Sequence, residues 1–84
     1  MPTILYRNGW RLFFYSNEGN EPIHIHAQNA EVECKYWLIE SSLEIICDFS
    51  YNLDYQKKRE IEEIIYQNFD LIVQKWKTHF KSQK

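Results

Sequence analysis

The chain is poor in the residues that punctuate and staple small folds. It has two glycines, two prolines, two cysteines and one methionine in 84 residues. With so few breakers, each one marks a turn, and there are no internal repeats or low-complexity segments. Cys34 and Cys47 are too few for a disulfide framework and lack CxxC or metal-finger spacing, so free thiols in a reducing compartment are expected. No apolar run approaches the roughly 18 residues of a membrane helix. Met1-Pro2-Thr3-Ile4-Leu5 runs into strand-like sequence rather than a signal peptide, so a complete cytosolic protein is expected. Neither sign of charge dominates: ten Lys and Arg against twelve Asp and Glu leave a net charge of −2. That is no general footprint for nucleic acid or membrane, although it leaves room for a local patch.

Aromatic residues are abundant, at 17% of the chain. One domain of this size buries only about 60–65% of its unfolded surface, and each packed aromatic adds roughly 150–250 Å². Asn8-Gly9 separates Thr3–Arg7 from the aromatic run Trp10–Tyr15. Asn-Gly between two such runs predicts a hairpin with a type I′ turn. That turn pairs Leu5 with Leu12 and Ile4 with Phe13. Ile4, Tyr6, Arg11, Phe13 and Tyr15 then share one face.

Ser16 to Glu21 is a polar loop, broken by Gly19 and closed by Pro22. Ile23-His24-Ile25-His26 alternates, which places His24 and His26 on one face of a strand. A second hairpin is expected near Gln28-Asn29. A two-residue turn there sets His24 opposite Glu33 and His26 opposite Glu31, whereas a four-residue loop sets His26 opposite Glu33 and His24 opposite Lys35. In both registers the histidines face the same way as Glu31, Glu33, Lys35 and Trp37, because a shift of two preserves facing. Ile25, Cys34, Tyr36 and Leu38 take the other side. Leu43–Phe49 is a further strand, and Asp54 is placed to cap a helix. From Tyr55 the period changes: Ile61, Ile64, Ile65, Phe69, Ile72, Trp76 and Phe80 form one helical stripe. The expectation is a two-layer α+β domain: four to five antiparallel strands over about 3–49, packed on one long C-terminal helix over about 54–80. One helix covers one face, so the histidine face is expected to stand open as a contact surface.

That face collects His24, His26, Arg11, Tyr15, Glu33, Lys35 and Trp37, with Glu18 and Glu21 on the loop at its lip. Three readings follow. The two imidazoles are surface groups paired across the ladder with Glu31 or Glu33. They hold a metal with a carboxylate, such as Glu33, or with His79. Or they act without metal as acid and base on a phosphodiester, with Arg11 and Lys35 neutralising phosphate. Cys34 and Cys47 read as packing residues and His79 as a boundary residue. The basic triplet Lys57-Lys58-Arg59 reads as a solvated face or an anion contact.

Arg11-Leu-Phe-Phe-Tyr15-Ser-Asn-Glu18, Glu21-Pro22-Ile-His24-Ile-His26, Glu33-Cys-Lys35-Tyr-Trp37-Leu38 and the closing Trp76…Phe80 resemble one family, the small bacterial domain of unknown function 4160. The likeness spans nearly the whole chain. It departs at Asn29-Ala30-Glu31-Val32, where relatives tend to be glycine-rich, and at Leu43–Phe49, which is more strand-like. The resemblance implies a gene beside another small uncharacterised domain in an arrangement like a toxin–antitoxin module. That in turn implies a small partner protein and, more weakly, contact with RNA or DNA. The first expectation is therefore a small cytosolic interaction domain that meets its partner through the His24/His26 face. Its rivals are a ribonuclease-like toxin with His24 and His26 as acid and base, and a metal-binding regulator. A homodimer is admitted, and neither a cofactor nor a membrane is expected.

Overall fold

The computed structural model describes residues 3–15 and 19–81. Asn8 and Gly9 both take positive φ, 51° and 83°, as a type I′ turn requires. They join β1 (Thr3–Arg7) to β2 (Trp10–Phe13). Leu5 lies opposite Leu12, as the turn dictates, but Thr3 rather than Ile4 lies opposite Phe13 because the ladder slips at Ile4. The extra residue is a β-bulge. It brings the Thr3 hydroxyl to Arg11, whose Nε donates to it at 3.0 Å.

Strands β3 (His24–Asn29), β4 (Val32–Ile39) and β5 (Glu44–Tyr51) complete an antiparallel meander of order β1-β2-β3-β4-β5. The β3–β4 turn is Ala30-Glu31, two residues later than expected, so both expected registers give way to a third. His24 lies opposite Trp37, His26 opposite Lys35 and Gln28 opposite Glu33. No glycine marks this turn; Ala30 itself takes φ 54°, a region an alanine rarely adopts. The displacement is even, so the facing of every residue survives. β5 pairs with β4 through a second irregularity, with Tyr36 opposite Cys47 and Lys35 opposite Phe49, which leaves Asp48 as the extra residue.

One long helix was expected, but two form: α1 (Tyr55–Gln67) and α2 (Phe69–Lys81). Asp54 caps α1 by accepting from Lys57 N at 2.8 Å. The chain parts at Asn68, whose side-chain Nδ2 donates to the Ile64 carbonyl at 2.8 Å. Asparagine offers the backbone such alternative bonds, which is why it disturbs helix interiors. The apolar stripe runs unbroken across the interruption, and periodicity therefore does not register it.

The helical stripe and one sheet face make the core. Trp10, Leu12, Ile25, Cys34, Tyr36 and Leu38 meet Ile61, Ile65, Ile72 and Trp76, all buried. Polar tips at this boundary are satisfied: Trp10 Nε1 donates to Glu60 at 2.7 Å and the Tyr36 hydroxyl to Glu62 at 2.8 Å. Lys57-Lys58-Arg59 behaves as a solvated face, with Lys58 bridging Glu62 at 2.8 Å and Arg59 lying over Tyr55. Of the described residues, no helix is long and apolar enough to cross a membrane.

Candidate functional site

The helix-free face of the sheet carries the expected histidine cluster in a different condition from the one expected. Alternation puts Arg11 and Phe13 of β2, His24 and His26 of β3, and Lys35 and Trp37 of β4 on this side. The open centre foreseen for it is closed. His24 is 0% exposed, His26 3% and Lys35 8%. The cover is aromatic: Phe13 stacks on His26 at 5.4 Å, Tyr15 meets the same ring edge-on at 4.6 Å, and Phe49 lies 6.4 Å away. His24 is held between Trp37 at 5.2 Å and Trp76 at 4.7 Å. Trp76 belongs to α2, so the helical layer reaches round to this cluster. Its path follows Phe14, which leaves the end of β2 and packs on Trp76 at 5.0 Å.

The His24 and His26 rings stand 5.2 Å apart at 85°. His24 Nδ1 lies 2.9 Å from the Pro22 carbonyl. A carbonyl can only accept, so Nδ1 carries the proton and in the neutral ring Nε2 is the basic nitrogen.

Lys35 is neutralised within the molecule. Its Nζ sits 3.1 Å from Glu21 and 3.4 Å from Asp48, and 4.3 Å above the Trp37 ring. Two carboxylates and an aromatic face are what a nearly buried ammonium needs. They also occupy the charge that a phosphate clamp would use. Glu21 thus ties its end of the loop to the sheet. Gly19 packs so closely on Phe80 that a Cβ there would meet the ring at 2.6 Å. Glu18 lies outside the described residues. Arg11 stays half-buried, 4.3 Å over the Phe13 ring.

Glu33 shares the face but not the cluster, since it stands opposite Gln28 and Tyr51 rather than either histidine. Neither histidine pairs with Glu31 either, because Glu31 falls in the turn. His79, the other suggested ligand, packs on Phe80 at 4.6 Å. Among the described residues no group of three or more His, Cys, Asp and Glu is placed to hold a metal ion.

Asp48, Phe49 and Trp76 escaped the sequence reading of this site. Trp76 was read as core alone, and Asp48 reaches Lys35 through a bulge that alternation does not reveal. The helix-side face carries the perturbed titrating groups. Burial pushes the Cys34 thiol up to about 12, with Cys47, Glu33 and Glu62 adding to it. Burial and the hydrogen bond to Glu62 raise Tyr36 further still. Burial would also raise the Glu62 carboxyl, but bonds from Lys58 and Tyr36 outweigh it and hold the group low.

A five-strand antiparallel meander with two helices on one face and a histidine–aromatic cluster on the other defines a small α+β domain. The chain belongs to a family described as a domain of unknown function, DUF4160, whose model matches residues 9–77. No curated protein and no solved structure matches it.

Proposed function

We propose that the chain is a cytoplasmic interaction domain that docks a small partner protein, encoded beside it in a toxin–antitoxin-like pair, on the His24/His26 face of its sheet. The observation that carries the reading is the exposure pattern of that face. Tyr6, Ile46 and Tyr51 stand exposed on it, aligned by register with Arg11, Trp37 and Glu33. Large apolar side chains around a packed centre are the composition of a protein-binding patch. The buried histidines then support the patch rather than touch the partner.

A ribonuclease-like role for His24 and His26 draws support from the 5.2 Å spacing of their rings. It requires the aromatic cover to open, because an acid or base has to come within about 2.6–3.2 Å of the proton it moves. Lys35 is also committed to Glu21 and Asp48. The metal-regulator reading lacks a third ligand among the described residues.

The test is co-expression with the adjacent gene product. Tyr6→Lys and Ile46→Lys are expected to abolish co-purification with little change in melting temperature. Co-purification unaffected by both changes sinks the reading. RNA cleavage by the purified protein that disappears in His26→Gln, a variant shown to remain folded, transfers support to the nuclease.

A further inference from the structure

β5 ends the sheet. Its one neighbouring strand is β4, and among the described residues no backbone group of β5 bonds to any other element. At eight residues the open edge runs about 25 Å. Folded proteins usually blunt such an edge with charge, above all lysine, with proline, with brevity or with a bulge. β5 has neither lysine nor proline, and its one irregularity is the bulge at Asp48. The opposite edge, β1, is shorter at five residues.

Apolar exposure gathers along the same flank. Ile46 and Tyr51 of β5 are exposed, and so is Leu43 in the turn that feeds it. Leu43 also takes φ 56°, a left-handed backbone that large L-residues rarely adopt. A leucine both strained and solvent-exposed is a poor choice for folding alone.

Charge selects the occupant. Residues 36–56 contain four acids, Glu40, Glu44, Asp48 and Asp54, and no Lys, Arg or His. Asp48 shares Lys35 with Glu21, and Glu44 has no ion pair among the described residues. A second copy pairing β5 with β5 would bring two more acids, its own Glu44 and Asp48, and from residues 36–56 no cation to offset them, which like charges across a ladder oppose. Nucleic acid meets the same repulsion.

We infer that β5 is a strand-addition site for an extended segment of a partner protein that carries Lys or Arg in turn with apolar side chains on its helix-free side. The main-chain bonds of the added strand complete the edge, its cations meet Glu44 and Asp48, and its apolar residues cover Ile46 and Tyr51. This rests on the interaction-domain reading above and adds the β5 edge to the exposed surface that the partner covers.

The probe is a synthetic eight-residue peptide, two repeats of Val-Thr-Lys-Thr, measured by hydrogen exchange and by titration. Expected are slowed exchange of β5 amides and binding at least tenfold tighter than that of a Val-Thr-Glu-Thr counterpart. Glu44→Lys is expected to shrink that preference, and N-methylating alternate residues of the basic peptide to abolish binding. Equal affinity for both peptides, or unchanged β5 exchange, overturns the inference. Concentration-dependent dimerisation that protects β5 overturns it in favour of a second copy. If the adjacent gene product co-purifies and Glu44→Lys has no effect on it, strand addition fails while the interaction-domain reading stands. If the peptide protects β5 but no adjacent product binds, strand addition stands and that reading fails.

Discussion

His24 donates a hydrogen bond from Nδ1–H to the Pro22 carbonyl and fills the space between two indoles. Truncating it leaves a cavity and an acceptor without its donor. His24→Ala is therefore expected to destabilise the fold by about 2–4 kcal/mol, between the costs of aliphatic and large aromatic truncations. Urea unfolding measures it, and an unchanged midpoint would mean that the ring is not packed as described. This reverses what two-residue spacing suggested. Alternation does determine that His24, His26, Lys35 and Trp37 face one way, because backbone geometry enforces it. It is silent on whether neighbouring side chains fold over that face. Phe13, Tyr15 and Phe49 do so here, and no local pattern distinguishes an aromatic that projects from one that lies flat. Trp76 was legible as a core residue from its place in the helical stripe. With Phe14 and Phe80 also against it, Trp76→Ala is expected to cost about 3–5 kcal/mol, read as a large fall in melting temperature.

At the scale of elements, what the sequence disclosed depended on whether a turn carried its marker. Asn8-Gly9 fixed the first hairpin because Asn and Gly accept the φ values the turn needs. The second hairpin turns at Ala30, a residue that ordinarily avoids positive φ, so composition could not locate it, and Leu43, expected to open β5, instead takes positive φ in the turn before it. The break at Asn68 hid inside a continuous apolar stripe. Leu43 permits a direct test. Leu43→Gly relieves the left-handed strain but adds freedom to the unfolded chain. The net expectation is a gain of about 0.5–1 kcal/mol, measured by thermal or urea unfolding. Paired with weaker binding of the basic peptide, that gain would mark Leu43 as kept for contact at the expense of folding. A loss of stability would show that the exposed leucine packs better than its accessibility implies.

Across the whole molecule the two layers are unequal. The helices close one sheet face with apolar packing, while the other is sealed only at its centre and stays exposed at Tyr6, Ile46 and Tyr51. The helix-side layer also makes the fold sensitive to alkali. Burial, with the negative surroundings of Cys47, Glu33 and Glu62, holds the Cys34 thiol at about 12 against an ordinary 9.0. Tyr36 is likewise raised above its ordinary 10.0, by burial and then by its bond to Glu62. Both folded values exceed the unfolded ones, so above pH 9 the unfolded chain releases protons that the folded chain keeps. Stability from these groups is complete below the unfolded values and is lost as pH rises toward the folded ones. The slope approaches about 1.4 kcal/mol per pH unit for each group that titrates fully on unfolding. Between pH 9 and 10 Cys34 is the main contributor of the two, because the unfolded thiol, with an ordinary value of 9.0 against 10.0 for tyrosine, is the more ionised throughout. Cys34→Ala is therefore expected to lower the melting temperature at pH 7 through lost packing, yet to flatten its decline from pH 9 to 10. Tyr36→Phe is expected to flatten the decline mainly above pH 10. Melting curves at half-unit steps from pH 7 to 11 separate the two. Parallel declines in wild type and Cys34→Ala would remove the buried thiol as the cause.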